Sequence, residues 1–339
     1  GWPIRTVDLD ANYEYNQGKM TSVSYPAYWD TTYIPQMMAG PAFAYSYDSM
    51  DRPEKLTGSL DWVKDVLYNA AGQMTQMLTF TGSSFRTETR SYNTRGQLTQ
   101  IANSPGGTIQ YLYSASNNNG RITQRIGAGE TVNYSYDSLN RLTLAETTGT
   151  QWGLSFTYDG FGNRLNQAVT KGSAPTVSMN YDAATNRING WNYDANGNAT
   201  VGPLGPSTQL IYDADNRLSQ AGQEYYAYTP SNKRIWIKKP NFAEEVHFYS
   251  ITGQRLGVYR PIFDSGTLRM TRLETMVYFG SRQVARMNAA NVLVESPAPD
   301  RLESHVGTFP YGEEKGSATA NDRVKFATYY RDSTGLDYA

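Results

Sequence analysis

Two histidines, His247 and His305, are the only imidazole groups in this chain of 339 residues, and they are the first candidates for acid–base chemistry. A serine hydrolase would place one of them beside an activated serine, but no serine has the Gly-x-Ser-x-Gly flanks of a nucleophile elbow. His247 belongs to the alternating stretch 246–249, for which we predict a half-exposed strand position. The sequence therefore predicts no serine–histidine site.

One acidic motif, Asp264-Ser265-Gly266, has the residue types of an aspartyl protease. That chemistry needs two carboxylates that share one proton, whereas the motif occurs once in the chain. Asp, Ser and Gly are also frequent turn residues, and an aromatic residue precedes them here. We therefore predict a hairpin turn rather than a catalytic site.

Metal-ligating residues are sparse, because the chain has no cysteine and its two histidines are far apart in sequence. The segment 194–198, Asp-Ala-Asn-Gly-Asn, comes nearest to a calcium loop but falls within a turn of the repeat described below. No glycine-rich phosphate or dinucleotide motif is present. The sequence accordingly predicts no metal site and no cofactor.

Net charge and the length of the apolar runs exclude two further classes of function. The 30 Lys and Arg residues against 31 Asp and Glu residues give a net charge of −1, so we predict no nucleic-acid partner. The one basic cluster, residues 233–239, is interpreted as a strand with a charged solvent face. No apolar run approaches the roughly 20 residues of a membrane helix, so we predict no membrane insertion.

Tyrosine is unusually abundant, with 27 residues, and it recurs in a pattern. Seven dipeptides of Tyr-Asp type follow one another at intervals of 21 to 24 residues, and three more follow at 12, 19 and 16 residues. This period predicts a repeat protein. The strict copies are Tyr47-Asp48, Tyr136-Asp137, Tyr158-Asp159, Tyr181-Asp182, Tyr193-Asp194 and Tyr212-Asp213, and the variants are Tyr68-Asn69, Tyr92-Asn93, Tyr113-Ser114 and Tyr228-Thr229.

A second signature, Asn-Arg followed by Leu or Ile, comes after several of these dipeptides. Glycine replaces its asparagine in the weaker copies, and both residues tolerate the positive φ that a tight hairpin turn requires. Aromatic residues alternate with period two before each turn, which predicts a strand. The asparagine–arginine copies are Asn140-Arg141, Asn163-Arg164, Asn186-Arg187 and Asn216-Arg217.

These patterns predict an all-β fold in which each repeat is one hairpin. A hairpin of about 22 residues cannot bury its own face, so successive hairpins must stack edge to edge into a long sheet. In this interpretation the tyrosines pack and the aspartates shape the turns. The alternative is that the tyrosine-rich face binds sugars by ring stacking.

The two signatures, repeated between residues 45 and 235, resemble those of the Rhs and YD-repeat family of bacterial proteins. Residues 310–313 (Pro-Tyr-Gly-Glu) and the segment 325–339 are similar to the Rhs repeat-associated core. The resemblance implies a spiralling sheet that forms a hollow shell, or part of one, around a C-terminal cargo that is often a toxin. It also implies a secreted or cell-surface location.

Four segments follow from the resemblance. Residues 1–44 would be degenerate N-terminal repeats, 45–240 the YD-repeat sheet, 241–299 continuing strands, and 300–339 a partial repeat-associated core. In the family the core continues further than it does here, so we expect this chain to be an internal fragment truncated within the core.

The resemblance also picks out Arg331 and Asp332, which match an Arg-Asp pair in the core of autoproteolytic family members. Asp332 would supply one carboxylate of an aspartyl dyad, and Arg331 would bias its charge state. The second aspartate of that family lies beyond Ala339. We therefore predict a half-site and no enzyme in this chain, and we leave autoproteolysis open for the full-length parent.

The leading hypothesis is thus a structural one: a shell segment that encapsulates its own C-terminal cargo. The alternative is a secreted or surface module whose tyrosine-rich sheet binds glycans or a partner protein. The third is the aspartyl autoprotease of the parent.

Overall fold

The computed structural model describes residues 7–32, 34–241 and 243–338. These residues form 31 β-strands and no helix, which confirms the all-β prediction. None of the described residues belongs to a helix that could span a membrane.

The strands are short and follow one another closely along the chain. The first sixteen are β1 (Asn12–Asn16), β2 (Lys19–Ser24), β3 (Tyr28–Asp30), β4 (Gln36–Met38), β5 (Ala42–Tyr47), β6 (Pro53–Thr57), β7 (Asp61–Tyr68), β8 (Met74–Phe80), β9 (Phe85–Tyr92), β10 (Leu98–Ser104), β11 (Thr108–Tyr113), β12 (Ile122–Gly127), β13 (Glu130–Tyr136), β14 (Leu142–Thr147), β15 (Trp152–Tyr158) and β16 (Arg164–Gly172). The others are β17 (Val177–Ser178), β18 (Asn192–Tyr193), β19 (Ala199–Val201), β20 (Leu210–Tyr212), β21 (Leu218–Ala221), β22 (Glu224–Tyr228), β23 (Arg234–Lys238), β24 (Glu244–Tyr249), β25 (Arg255–Asp264), β26 (Thr267–Phe279), β27 (Arg282–Asn288), β28 (Leu293–Glu295), β29 (Arg323–Val324), β30 (Tyr330–Arg331) and β31 (Asp337–Tyr338).

The chain divides into two compact units. The first comprises the described residues up to Arg86 together with Asp194–Val201 and Gly205–Pro297. The second comprises Thr87–Tyr193, Gly202–Leu204 and the described residues from Ala298 onward.

In the first unit, two antiparallel sheets pack against each other. One contains β1, β2 and β5–β8 as successive neighbours, and the other contains β20–β28 in chain order. Leu56 and Val63 from one sheet and Val277 from the other are almost fully buried in the shared core. The Tyr25 hydroxyl donates a hydrogen bond to the Met276 carbonyl at 2.9 Å, which joins residues 251 positions apart. The two sheets are therefore held by both apolar and polar contacts.

In the second unit, β9–β17 are successive antiparallel neighbours, and the C-terminal segment packs on them. The Phe309 ring meets the Trp152 ring edge-on, with centroids 5.2 Å apart. Lys315 forms an ion pair with Glu130, and the Tyr111 hydroxyl accepts a hydrogen bond from the Arg301 backbone at 3.2 Å. Residues from 298 onward thus cover the apolar face of the sheet.

A β-bulge recurs where the repeat tyrosine ends its strand. In β13 the register shifts between Ser135 and Tyr136, so the tyrosine is the last paired residue before the turn. A bulge increases the local twist and re-aims the side chain. The same shift precedes Tyr47, Tyr68, Tyr113, Tyr158, Tyr212, Tyr228, Tyr249 and Tyr278.

Candidate functional site

The feature that repeats along the chain is a five-residue turn closed by a carboxylate. In the turn that starts at Asp137, the Asp137 Oδ1 atom accepts hydrogen bonds from the backbone of Leu139 and Arg141, both at 2.9 Å. Asn140, the fourth residue, has a φ of 66°. Asparagine tolerates this left-handed conformation because its short polar side chain bonds locally. We call this arrangement the repeat turn.

Eleven turns of the described residues share this geometry, in which the first side chain accepts from the backbone of the third and fifth residues. The fourth residue has a positive φ in each of them. Their first residues are Asp48, Asn69, Asn93, Asp137, Asp159, Asp194, Asp213, Ser250, Asn288, Asp300 and Asp332.

Hydrogen bonding to the ionised carboxylate lowers the pKa of Asp48, Asp137, Asp159, Asp194 and Asp213. For Asp137 and Asp213 the main cause is the backbone N–H of the fifth residue, Arg141 and Arg217 respectively. For Asp194 it is the side-chain amide of Asn198. The aspartate that closes each of these three turns is therefore a charged acceptor over the ordinary pH range.

A second set of contacts joins one repeat to the next. The Arg141 Nη1 atom donates to the Asp159 carbonyl at 3.0 Å, and its guanidinium lies 4.9 Å from the centre of the Tyr158 ring. In return, the Tyr158 hydroxyl donates to the Leu142 carbonyl at 2.6 Å. We call these three contacts the inter-repeat clasp. A cation–π contact contributes about 0.5–1 kcal/mol at exposed sites, and a hydrogen bond about 1 kcal/mol.

The complete clasp occurs at four steps of the repeat, two in each unit. In each step the arginine that follows a residue of positive φ reaches forward, and the next repeat tyrosine reaches back. The pairs are Arg52–Tyr68, Arg121–Tyr136, Arg141–Tyr158 and Arg217–Tyr228. The Tyr-Asp and Asn-Arg signatures are thus the two halves of one interaction between neighbours.

The remaining predicted tyrosines have partial versions of this contact. Tyr47 donates to the Met20 carbonyl at 2.6 Å, and Tyr212 donates to the Ala199 carbonyl at 2.9 Å. The Tyr193 hydroxyl instead accepts from the Ile188 backbone at 2.9 Å. Tyr181 pairs with Ile188 in an isolated β-bridge.

The turns at Asp159 and Asp182 differ from the predicted pattern. In the turn from Asp159 the positive φ belongs to Gly162, so Asn163 takes the fifth position rather than the predicted fourth. Its amide donates to the Asp159 carboxylate and to Asn186 Oδ1, at 2.8 and 2.6 Å. Arg164 is displaced onto the strand, where its guanidinium lies 4.1 Å from the centre of the Tyr311 ring.

The turn at Asp182 is one residue longer than the others. Asp182 Oδ1 accepts from the backbone of Ala184 and Thr185, and the Asp182 N–H donates to the Arg187 carbonyl. Asn186 has the predicted positive φ of 57°. Arg187 keeps the stacking part of the clasp, 5.0 Å from the centre of the Tyr193 ring.

Asp332 occupies the first position of a repeat turn and is 1% exposed. Its carboxylate accepts from the backbone of Thr334 and Leu336 at 3.1 and 3.2 Å and from the Thr334 hydroxyl. The Asp332 N–H also donates to the Leu336 carbonyl, as in the other turns. The residue predicted as a half-site is thus built like the turn aspartates of the sheet.

Arg331 is engaged by a different carboxylate. Its Nε and Nη2 atoms donate to the two oxygens of Asp337, both at 2.8 Å, and this bidentate pair raises the pKa of Arg331. Its Nη1 atom lies 3.7 Å from Glu314. The arginine therefore pairs β30 with β31.

A buried ion pair lies next to this hairpin. The Lys325 ammonium, on a residue 1% exposed, donates to Glu314, to the Thr319 carbonyl at 2.9 Å and to Asn321 at 3.0 Å. Burial alone would raise the pKa of Glu314, but hydrogen bonds from Lys325 and Thr319 lower it to about 2. The pair is fully hydrogen-bonded, as a buried charge requires.

The histidine prediction was wrong for His247, which is 3% exposed rather than half-exposed. Strand alternation turns it to the inner side of the sheet, where Arg234 of the predicted basic strand is also 3% exposed. Burial lowers the pKa of His247 to about 4. The other histidine, His305, donates its backbone N–H to the Lys325 carbonyl.

The remaining motifs have structural roles. Asp264, Ser265 and Gly266 form the tip of the β25–β26 hairpin, as predicted. Both carboxylate oxygens of Asp194 accept hydrogen bonds from its own turn. No cluster of three or more metal-ligating side chains occurs in the part of the chain that the structure describes.

Sequence reasoning missed the turns at Asn288 and Asp300. Asn288 is followed three residues later by Asn291, so the signal used for the other turns would have found it. Asp300 is followed by Glu303, whose φ of 61° has no signal in the residue type. Both turns extend the repeat geometry beyond residue 240.

Antiparallel hairpins joined in chain order through a repeated turn and clasp define an all-β repeat fold. Comparison with solved structures identifies proteins with a similar fold. It matches a Tc holotoxin pore of Photorhabdus luminescens carrying a mutation in TccC3, with a TM-score of 0.60 at 14% identity over 94% of this chain and 19% of that one. It also matches TcdB2-TccC3-TEV, with a TM-score of 0.61 at 16% identity over 94% and 19%.

A third match is TcdB2-TccC3 without its hypervariable C-terminal region, with a TM-score of 0.64 at 14% identity over 97% of this chain and 21% of that one. This chain therefore spans about a fifth of the length of the structures that it matches. The likenesses confirm the fold implied by the resemblance to Rhs and YD-repeat proteins. No protein-family model and no curated protein matches the sequence.

Proposed function

We propose that this chain is a wall segment of a shell that encloses a C-terminal cargo of its own parent protein. The observation that carries the proposal is the inter-repeat clasp, because it fixes successive hairpins to one another through turn residues without any catalytic group. The fold likeness to TcdB2-TccC3, whose C-terminal region is described as hypervariable, supports the same role. The chain in this proposal is not an enzyme.

Limited proteolysis of the full-length parent tests the proposal. The cargo segment should be cleaved at least tenfold more slowly in the parent than when it is expressed alone, because a wall excludes the protease. The matched control is the parent in enough urea to unfold the sheet, where the two cleavage rates should become equal. Equal rates in the native parent would contradict encapsulation.

A secreted or surface location belongs to the same proposal. It predicts that the parent is recovered from the culture medium or is accessible to protease on intact cells. Recovery of the parent solely inside cells, under conditions in which it is expressed, would argue against this part.

A second candidate function is glycan binding, and one groove favours it. A cavity of about 550 Å³ in the second unit is lined largely by hydroxyl and amide side chains, among them Thr99, Gln100, Gln110 and Asn118, with the Tyr113 ring at its side. Neutral hydrogen-bonding groups beside an aromatic ring suit a sugar. A glycan array should give a signal that Gln110→Ala removes and Gln124→Ala, on a neighbouring strand outside the groove, retains. An array without signal would remove this candidate.

Aspartyl autoproteolysis stays a prediction for the parent, and Asp332→Asn tests it. An asparagine can still accept the two backbone hydrogen bonds of the turn but cannot share a proton with a second carboxylate. If the parent cleaves itself, Asp332→Asn should abolish the released fragment, as seen by mass spectrometry. Asp300→Asn, at the same position of another turn, is the matched control and should leave cleavage unchanged. Continued cleavage by Asp332→Asn would exclude Asp332 from catalysis.

A further inference from the structure

The first unit contains an apolar cavity that the proposed wall does not require. Its volume is about 520 Å³, within the range of small-molecule sites. Aromatic and aliphatic side chains form most of its lining, including Phe43, Trp62, Phe80, Met287 and Leu293. Of these, Phe43, Trp62 and Met287 belong to the buried core of the unit.

Arg272 is the one charged residue among those that line the cavity, and it is only 4% exposed. Its Nη2 atom donates to the Tyr28 hydroxyl at 3.2 Å, to Asn291 Oδ1 at 2.5 Å and to the Ala289 carbonyl at 3.3 Å. Its guanidinium also lies 4.0 Å from the centre of the Tyr28 ring. Every one of these partners is electrically neutral.

The positive charge of Arg272 is therefore not matched by a carboxylate in contact with it. The Arg272 Nε atom is buried and meets no acceptor in the part of the chain that the structure describes. Asp30 acts on it only at longer range, and the Asp30 Oδ1 atom accepts from the backbone and hydroxyl of Thr32. A buried ion without a paired counter-charge is costly, and burial accordingly lowers the pKa of Arg272.

We propose that this cavity binds a small amphiphile with a single carboxylate, such as a medium-chain fatty acid, whose chain packs on the apolar walls and whose carboxylate pairs with Arg272. The buried Nε–H group of Arg272, which meets no acceptor among the described residues, would donate to a carboxylate oxygen in a charge-assisted hydrogen bond. An anionic ligand would supply a negative charge to pair with the guanidinium of Arg272. The inference does not depend on the encapsulation role.

Calorimetric titration of the chain with decanoate and with 1-decanol, both below the concentrations at which they aggregate, tests the proposal. Decanoate should bind at least tenfold more tightly than decanol, because both fill the apolar cavity and only decanoate pairs with Arg272. Arg272→Met should remove this preference. The matched control is Arg269→Met, the same substitution on the same strand at a residue stacked 4.3 Å from the Trp29 ring and outside the lining. This control should retain the preference.

A second variant keeps the test decisive if Arg272→Met does not fold. Leu60 lines the cavity and is 44% exposed, so Leu60→Trp should fold while filling part of the space. It should weaken decanoate binding at least tenfold. Equal affinity of the native chain for decanoate and decanol, or unchanged decanoate binding by Leu60→Trp, would overturn the proposal.

Discussion

Two stretches of the second unit carry the same signature but build different amounts of sheet. Between residues 87 and 172 the strands have six to nine residues, whereas β17 and β18, between residues 177 and 193, have two residues each. Both stretches contain turns closed by an aspartate, of five residues in the first stretch and of six residues at Asp182 in the second. Only six residues separate Arg187, which ends one turn, from Asp194, which begins the next. The signature therefore specifies the turns, and the spacing between turns specifies how much sheet can form.

The largest expected effect is in the core of the long-strand stretch. Leu154 on β15 is fully buried, so Leu154→Ala should lower the free energy of unfolding by about 3 kcal/mol. Val177 on β17 is only partly buried, and Val177→Ala should cost about 0.5 kcal/mol. Urea titration of both variants measures the difference. Equal losses would mean that the short-strand stretch has a core as tight as the other.

The arginine half of the clasp should give the next largest difference. Arg141 makes an ion pair with Asp137, a hydrogen bond to the next turn and a stacking contact, so Arg141→Ala should cost about 1–2 kcal/mol. Arg187 retains only the stacking contact, and Arg187→Ala should cost about 0.5 kcal/mol. The comparison fails if the two variants unfold at the same urea concentration.

The tyrosine half of the clasp should contribute less to the free energy of unfolding. A Tyr→Phe substitution, which removes one oxygen atom, tests this. Tyr136→Phe deletes the hydrogen bond from the Tyr136 hydroxyl to the Ile122 carbonyl and should cost about 1 kcal/mol. Tyr181 is the matched control, because its hydroxyl makes no hydrogen bond to the described part of the chain, so Tyr181→Phe should have little effect. A similar loss in both variants would show that the hydroxyl contact is not what stabilises the long-strand stretch.

The smallest expected effect is on the pH dependence of the melting temperature, and it should be similar in the two stretches. Asp137 and Asp182 have a lowered pKa when folded, so their stabilising contribution is present above the unfolded pKa of about 3.9 and is lost as the pH falls through the folded value. An asparagine accepts the same backbone hydrogen bonds without titrating. Asp137→Asn and Asp182→Asn should therefore reduce the drop in melting temperature between pH 5 and pH 3 to a similar small degree. A change in only one of them would mean that the two turns differ chemically.

The turns could be predicted from the sequence because their chemistry is local. The first side chain bonds the backbone of the same five residues, and the fourth residue is usually the asparagine or glycine that a positive φ favours. Gly162 also explains the misplacement of Asn163, since a glycine and an asparagine stand side by side there and only one takes the left-handed conformation. The turn that contains Glu303 could not be predicted from residue type, because glutamate is not a residue that favours a positive φ.

The contacts between elements could not be predicted in the same way. The forward reach of Arg141 to the Asp159 carbonyl depends on the register of two hairpins. The burial of His247 depends on which face of β24 meets another sheet, and alternation alone does not say which face that is. The cavity beside Arg272 is formed by two segments, 28–82 and 272–293, that are far apart in sequence. Such features arise from packing and are absent from any local pattern.

The inter-repeat clasp has a direction, since each arginine reaches toward the C-terminus and each tyrosine reaches toward the N-terminus. At each of the four complete clasps, a hairpin therefore finds its binding partner in the hairpin synthesised just before it. Such an array suits vectorial folding on the ribosome, in which each new repeat docks as it emerges. It also lets a gene gain or lose a whole copy by duplication or deletion, because the junction left behind is another arginine facing another tyrosine.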